Sequence, residues 1–155
     1  MSAAVVSDVV RGFLDDDGWG WVPGEQEGYP TLETGFRGNT AAWPVVVRVF
    51  DDFGQVAVES VLPFTVGTGE RAAVLELISR ANLLLLTGAF HLNLDDGTLR
   101  FRTSLLLPDH EPLTAALCKG MLYANVLTVD RCYPEVAAVA AGDLEPAVAA
   151  TRLAL

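Results

Sequence analysis

A chain of 155 residues is the size of one domain, and its 51% apolar content suffices for one core without staples. Ten Lys and Arg against twenty Asp and Glu give a net charge of −10, a field that repels phosphate backbones and argues against direct nucleic-acid binding. No apolar run approaches the roughly 18 residues of a membrane span, and Asp8 interrupts the only candidate for a signal segment, so a cytoplasmic location is expected.

Val5, Val6, Val9, Val10, Phe13 and Leu14 recur at helical spacing and predict a first helix over residues 3–14, ended by Asp15–Asp17 and Gly18. Trp19 to Gly28, rich in Gly, Pro and acids, reads as loop or a short strand. Tyr29–Phe36, Trp43–Phe50 and Gln55–Leu62 then read as strands from their β-branched and aromatic content, with Asp51-Asp52-Phe53-Gly54 as a hairpin loop. Thr68 is placed to cap a second helix over about 70–87, with Gly88 as its stop. Ala89–Leu94 and Leu99–Leu106 form a hairpin around Asp95-Asp96-Gly97-Thr98. Pro112 suits the first turn of a long third helix running to about Tyr133, where Pro134 should kink or break it before Ala-rich turns. The class is therefore α+β: helix, three-stranded antiparallel segment, helix, β-hairpin and long C-terminal helix, in one domain over residues 1–155.

Chemistry-bearing motifs are few. Gly67-Thr68-Gly69-Glu70-Arg71-Ala72 has the spacing of a dinucleotide loop, with Asp95 near the distance of a ribose acid. Pro63 interrupts the preceding strand, and the next strand turns back in a hairpin instead of crossing over, so the motif lacks its βαβ setting. Asp15-Asp16-Asp17-Gly18 fails as a calcium loop, since alignment on Gly18 puts Phe13 first and Gly24 twelfth. His91 and His110 have no ligand neighbours at useful spacing. No catalytic residue, metal ligand or cofactor is assigned, and an enzyme would need a site dispersed along the chain. Cys118 and Cys132 would lie about 21 Å apart on a continuous helix, beyond bridging, and read as buried apolar residues.

Two surfaces remain. In the second hairpin Phe90, Leu92, Leu94, Leu99, Phe101, Thr103 and Leu105 share one face. His91, Asn93, Arg100, Arg102 and Ser104 share the other, with Arg48 on the same side of the sheet. These residues form either a solvated face paired to acids such as Glu59 or a grip for a partner's carboxylates, and Arg48, His91, Arg100 and Arg102 are the partner-binding candidates. The helices supply the second surface. Val74, Leu77, Ile78, Ala81, Leu84 and Leu85 make a core stripe that leaves out Leu75, Leu83 and Leu86. The third helix is apolar on two sides: Leu113, Leu117, Gly120, Met121, Ala124 and Leu127 on one, Cys118, Leu122, Val126, Val129 and Tyr133 on the other. The sheet covers one side. The first helix, the C-terminal segment or a second subunit must cover the other, so Leu75, Leu83, Leu86, Leu122, Val126 and Val129 are the dimer-interface candidates.

The stretch Arg71–Gly88 with Leu77 and Ala81-Asn82, the run Phe90–Arg102 around Asp95-Asp96-Gly97, and Thr128-Val129-Asp130-Arg131-Cys132-Tyr133-Pro134 carry a resemblance. The chain resembles the YbjN-domain family of bacterial proteins, similar in fold to type III secretion chaperones. Asp130, Arg131 and Pro134 match the family's Asp-Arg-aromatic-x-Pro ending, while Cys132 stands where an aromatic is expected. The resemblance implies a helix–sheet–helix homodimer without cofactor that binds a client protein. The acidic field selects a basic client, with nucleic-acid-binding proteins the obvious basic class. The alternative is a small-ligand sensor using the sheet pocket.

Overall fold

The computed structural model of the chain describes residues 5–108 and 111–155, so His110 lies outside the described residues, as do positions 3 and 4 of the expected first helix. Helix α1 (Val6–Asp16) turns Val6, Val10, Phe13 and Leu14 inward. Four strands follow as a meander: β1 (Val22–Gln26), β2 (Tyr29–Arg37), β3 (Ala42–Phe50) and β4 (Gln55–Thr65). Then come α2 (Arg71–Leu84), β5 (Ala89–Leu92), β6 (Thr98–Leu106), the long α3 (Ala115–Ala140) and the short α4 (Pro146–Arg152). The strands form one sheet of order β1-β2-β3-β4-β6-β5, and every neighbouring pair is antiparallel. The α+β class is therefore observed, and the stretch expected as loop or a short strand is the strand Val22–Gln26, which pairs with β2 and makes the segment before the second helix four-stranded.

Alternation sorts the sheet into two faces. Trp43, Val45, Val47 and Val49 of β3, Val56, Val58 and Leu62 of β4, and Leu99 and Phe101 of β6 are buried beneath the helices. Helix α3 packs on β4 and β6 and is flanked by α1, α2 and α4. Inside this layer Asn125 of α3, fully buried, receives the Ser60 hydroxyl at 2.6 Å and donates to the carbonyls of Val58 and Phe101 at 2.9 and 3.0 Å. The Trp43 indole N–H in turn donates to Ser60 at 2.9 Å. The helix is thus pinned in register over the two central strands by polar as well as apolar contacts.

Several expectations are corrected. Helix α3 starts at Ala115, not Pro112, because Thr114 is its N-cap: the hydroxyl accepts from the Leu117 amide at 3.2 Å. It also runs through Pro134 to Ala140. Pro134 removes one helical donor, but Val136 and Val139 beyond it are buried, and that packing holds the last turns helical. The second helix stops at Leu84, and Thr68–Glu70 before it is a single 3-10 turn without a side-chain cap. Gly88 takes φ +81°, and a Cβ there would sit 2.7 Å from the Phe101 ring and 2.9 Å from the Arg102 carbonyl oxygen, so glycine is required where the chain enters β5. Strand β4 continues past Pro63 to Thr65 through an irregularity after Val61.

Candidate functional site

The other face of the sheet is open. Arg48 of β3, Ala57 and Glu59 of β4, Arg100 and Arg102 of β6 and His91 of β5 share it, as the alternation predicts. Register brings them together: Glu59 lies opposite Arg102, His91 opposite Arg100, and Thr31 opposite Arg48. Three guanidinium groups converge on one carboxylate. Arg102 reaches Glu59 Oε1 at 2.7 Å through Nη2 and 2.8 Å through Nε; Arg100 reaches Oε2 at 3.1 Å; Arg48 stands 3.6 Å from Oε1. The Glu59 side chain is only 1% exposed, against 13% for Arg48, 33% for Arg100 and 44% for Arg102. Arg48 also bonds Glu27 at 3.0 Å and lies 5.2 Å over the Phe50 ring.

The electrostatics follow from this packing. Burial pushes the Glu59 carboxyl up, but the hydrogen bond and charge of Arg102, with the charges of Arg100 and Arg48, outweigh it and hold the group below its usual 4.5. His91 is lowered from 6.5, first by burial and then by the charge of Arg102, so its ring is neutral at pH 7. Among the described residues, the buried side-chain polar atoms without a partner are Thr31 Oγ1, Arg48 Nε and His91 Nε2, and all three belong to this face. Two adjoining open pockets of about 350 Å³ and 290 Å³ lie here, sharing His91 and Arg102; the larger is rimmed by Gln26 and Glu27.

The interface candidates divide. Leu122, Val126 and Val129 are 2%, 0% and 1% exposed, packed beneath the chain's own layers, and are corrected from interface to core. The sheet covers that side of α3, with α1, α2 and α4 around it, so no second subunit is needed there. Leu75, Leu83 and Leu86 do face outward, at 38%, 86% and 101% exposure. Leu84, expected in the core stripe, is 60% exposed because the helix ends there. The result is an apolar edge immediately ahead of β5, a strand with one unpaired side. Asn82 fixes the junction by exchanging two hydrogen bonds with the Phe90 backbone, at 2.8 and 2.9 Å.

Other candidates resolve into structure. The glycine turn at Gly67–Glu70 is tied down by Arg71, which donates to the carbonyls of Val66 and Leu94 at 3.2 and 2.7 Å. Cys118 and Cys132 are buried, and burial pushes both thiols up to about 11. Asp130 of the Asp-Arg-x-x-Pro motif accepts from the Asn39 backbone and side chain at 2.8 and 2.6 Å, clamping α3 to the β2–β3 turn. No group of three or more potential ligands is placed to hold a metal, and no helix is long and apolar enough to cross a membrane, among the described residues.

The fold and its surfaces define an α+β protein with one helix-covered sheet face and one open, arginine-rich face. The YbjN family model, described as "Putative bacterial sensory transduction regulator", matches residues 7–138. The chain belongs to the YbjN family. No curated protein sequence matches it.

Proposed function

We propose that the protein is a regulatory protein that acts by binding another protein and carries out no bond-making chemistry of its own. The observation that supports this reading most is the leucine edge. Leu83, Leu84 and Leu86, at 86%, 60% and 101% exposure, put three exposed leucines within four residues of a chain of net charge −10. A second copy is the first occupant. Two copies repel through their net charge, so they meet best where each is uncharged, and a twofold axis through the edge sets the same leucines against each other. The remaining acidic surface steers a basic client, whose association slows with salt as the field shrinks to a Debye length of about 8 Å.

Light scattering coupled to gel filtration tests the dimer. A mass approaching twice 16.5 kDa as concentration rises is expected, and a mass near 16.5 kDa at every concentration refutes it. Leu83→Asp and Leu86→Asp should weaken association while leaving the melting temperature close to wild type. Leu77→Asp, at a fully buried position, should unfold the chain.

A further inference from the structure

We infer that the open sheet face is a binding site for a small oxyanion, a carboxylate or phosphate group held between Arg100, Arg102 and His91. Charge is the first ground. Glu59 draws three arginines where one would neutralise it, which gathers guanidinium groups on one sheet face of a protein of net charge −10, although Glu27 bonds Arg48, Asp96 lies near enough to Arg100 to feel its charge and Glu33 shares the face. Glu59 acts as an internal counter-ion that holds the guanidinium groups side by side. Free donors are the second ground. Arg100 gives Glu59 only Nη1, and Arg102 gives only Nε and Nη2. The Nε and Nη2 of Arg100 and the Nη1 of Arg102 donate to no group among the described residues, and a guanidinium fork with spare N–H groups suits a planar or tetrahedral oxyanion.

The third ground is the orphaned polar atoms. A buried polar atom without a partner is destabilising by about 1–3 kcal/mol, so such atoms are scarce in folded proteins. Of the three among the described residues, Thr31 on β2 and Arg48 on β3 lie away from the pockets, whereas His91 on β5 lines both, so its Nε2 is the one unpartnered atom at the site. A ring nitrogen can donate to an anion when protonated, so anion binding raises the affinity of His91 for a proton. Size is set by the surroundings. The larger pocket is about 350 Å³ and Glu27 stands at its rim, which admits a small anion and repels an extended polyanion.

Nitrogen-15 NMR of the arginine Nε–H and His91 ring signals tests this. Sodium phosphate and sodium succinate are each titrated against sodium chloride at equal ionic strength. Saturable shifts at Arg100, Arg102 and His91 with either anion support the site, and the anion that saturates identifies phosphate or carboxylate as the group held. Arg102→Gln should weaken binding about tenfold or more, through loss of a charge-assisted contact. Arg100→Gln, which leaves the shorter Arg102–Glu59 pair intact, gives the same test should Arg102→Gln unfold. Glu59→Gln should retain or tighten binding, because the competing carboxylate is gone, and Arg11→Gln on the far α1 surface should change nothing. Shifts no larger than those in chloride, or unchanged affinity in both arginine variants, overturn the inference.

Discussion

Asn125→Leu should destabilise the protein by about 3 kcal/mol although leucine is apolar and the site is fully buried. The side chain takes one hydrogen bond from Ser60 and gives two to backbone carbonyls, Val58 and Phe101. A third acceptor, Thr103 Oγ1 at 3.3 Å, shares the same two amide hydrogens and adds little. Three bonds at about 1 kcal/mol each give the estimate, and the carbonyls left behind have no water to turn to. For a chain of this length that corresponds to a fall in melting temperature of about 6–12 °C. The consequence reaches the site, because Val58 and Phe101 directly neighbour Glu59, Arg100 and Arg102 on β4 and β6. Circular dichroism melts provide the assay, with a double-mutant cycle against Ser60→Ala. A coupling of about 1 kcal/mol is expected, since both changes break the same bond. Asn125→Leu melting within about 2 °C of wild type, with no coupling to Ser60→Ala, would show that apolar packing alone positions α3.

Acidification should destabilise in two stages. The lowered His91 releases its proton in the fold, so its contribution is present above 6.5 and is lost as pH falls below that value; Glu59 adds a second loss below 4.5, and His91→Gln should flatten only the first stage of a melting series from pH 7 downward. Cys118 and Cys132, pushed up to about 11 by burial, should resist iodoacetamide at pH 8 in the native state and react fully in denaturant, as mass spectrometry would count. Gly88→Ala should lower stability by about 1–3 kcal/mol, from its left-handed backbone and the contact with Phe101, whereas equal stability would mean the turn relaxes freely.

What was legible in the sequence is what depends on neighbours along the chain. The period of two placed Arg48, His91, Arg100 and Arg102 on one face, and the loop chemistry of Asp95-Asp96-Gly97 gave the hairpin. What depends on distant pairing was not legible. The β4–β6 register sets Glu59 beneath Arg102, and those residues are 43 apart. For that reason the sequence leaves the solvated-face and grip readings open, and the structure shows the pairing of the face to Glu59. Asn125 carried an overlooked signal, a polar residue amid Leu122, Val126 and Val129 on an apolar face. Pro134 does not end the helix for a related reason, since a local helix-breaking preference is overridden by the burial of Val136 and Val139.

The burial of one face of α3 also changes what a dimer must do. With Leu122, Val126 and Val129 spent on the chain's own core, the interface falls to Leu83, Leu84 and Leu86. Burying a leucine side chain contributes about 2 kcal/mol, so six leucines from two copies supply about 12 kcal/mol before any opposing effect. Association itself opposes this by about 4–15 kcal/mol, and the repulsion between two acidic copies adds to it. The leucines alone therefore support a weak dimer, with a dissociation constant in the micromolar range or above. The outer side of β5 is the nearest source of further contact, but Asn82 already takes the Phe90 amide and carbonyl there, so pairing between copies would have to run through Leu92. Sedimentation velocity over a hundredfold concentration range separates the two cases. A reversible monomer–dimer equilibrium that shifts toward dimer with added salt fits the leucine edge alone, because screening relieves the repulsion without touching apolar contact. A dimer that persists at nanomolar concentration and is abolished by Leu92→Pro, but not by Leu86→Asp, would move the interface from the leucines to the strand.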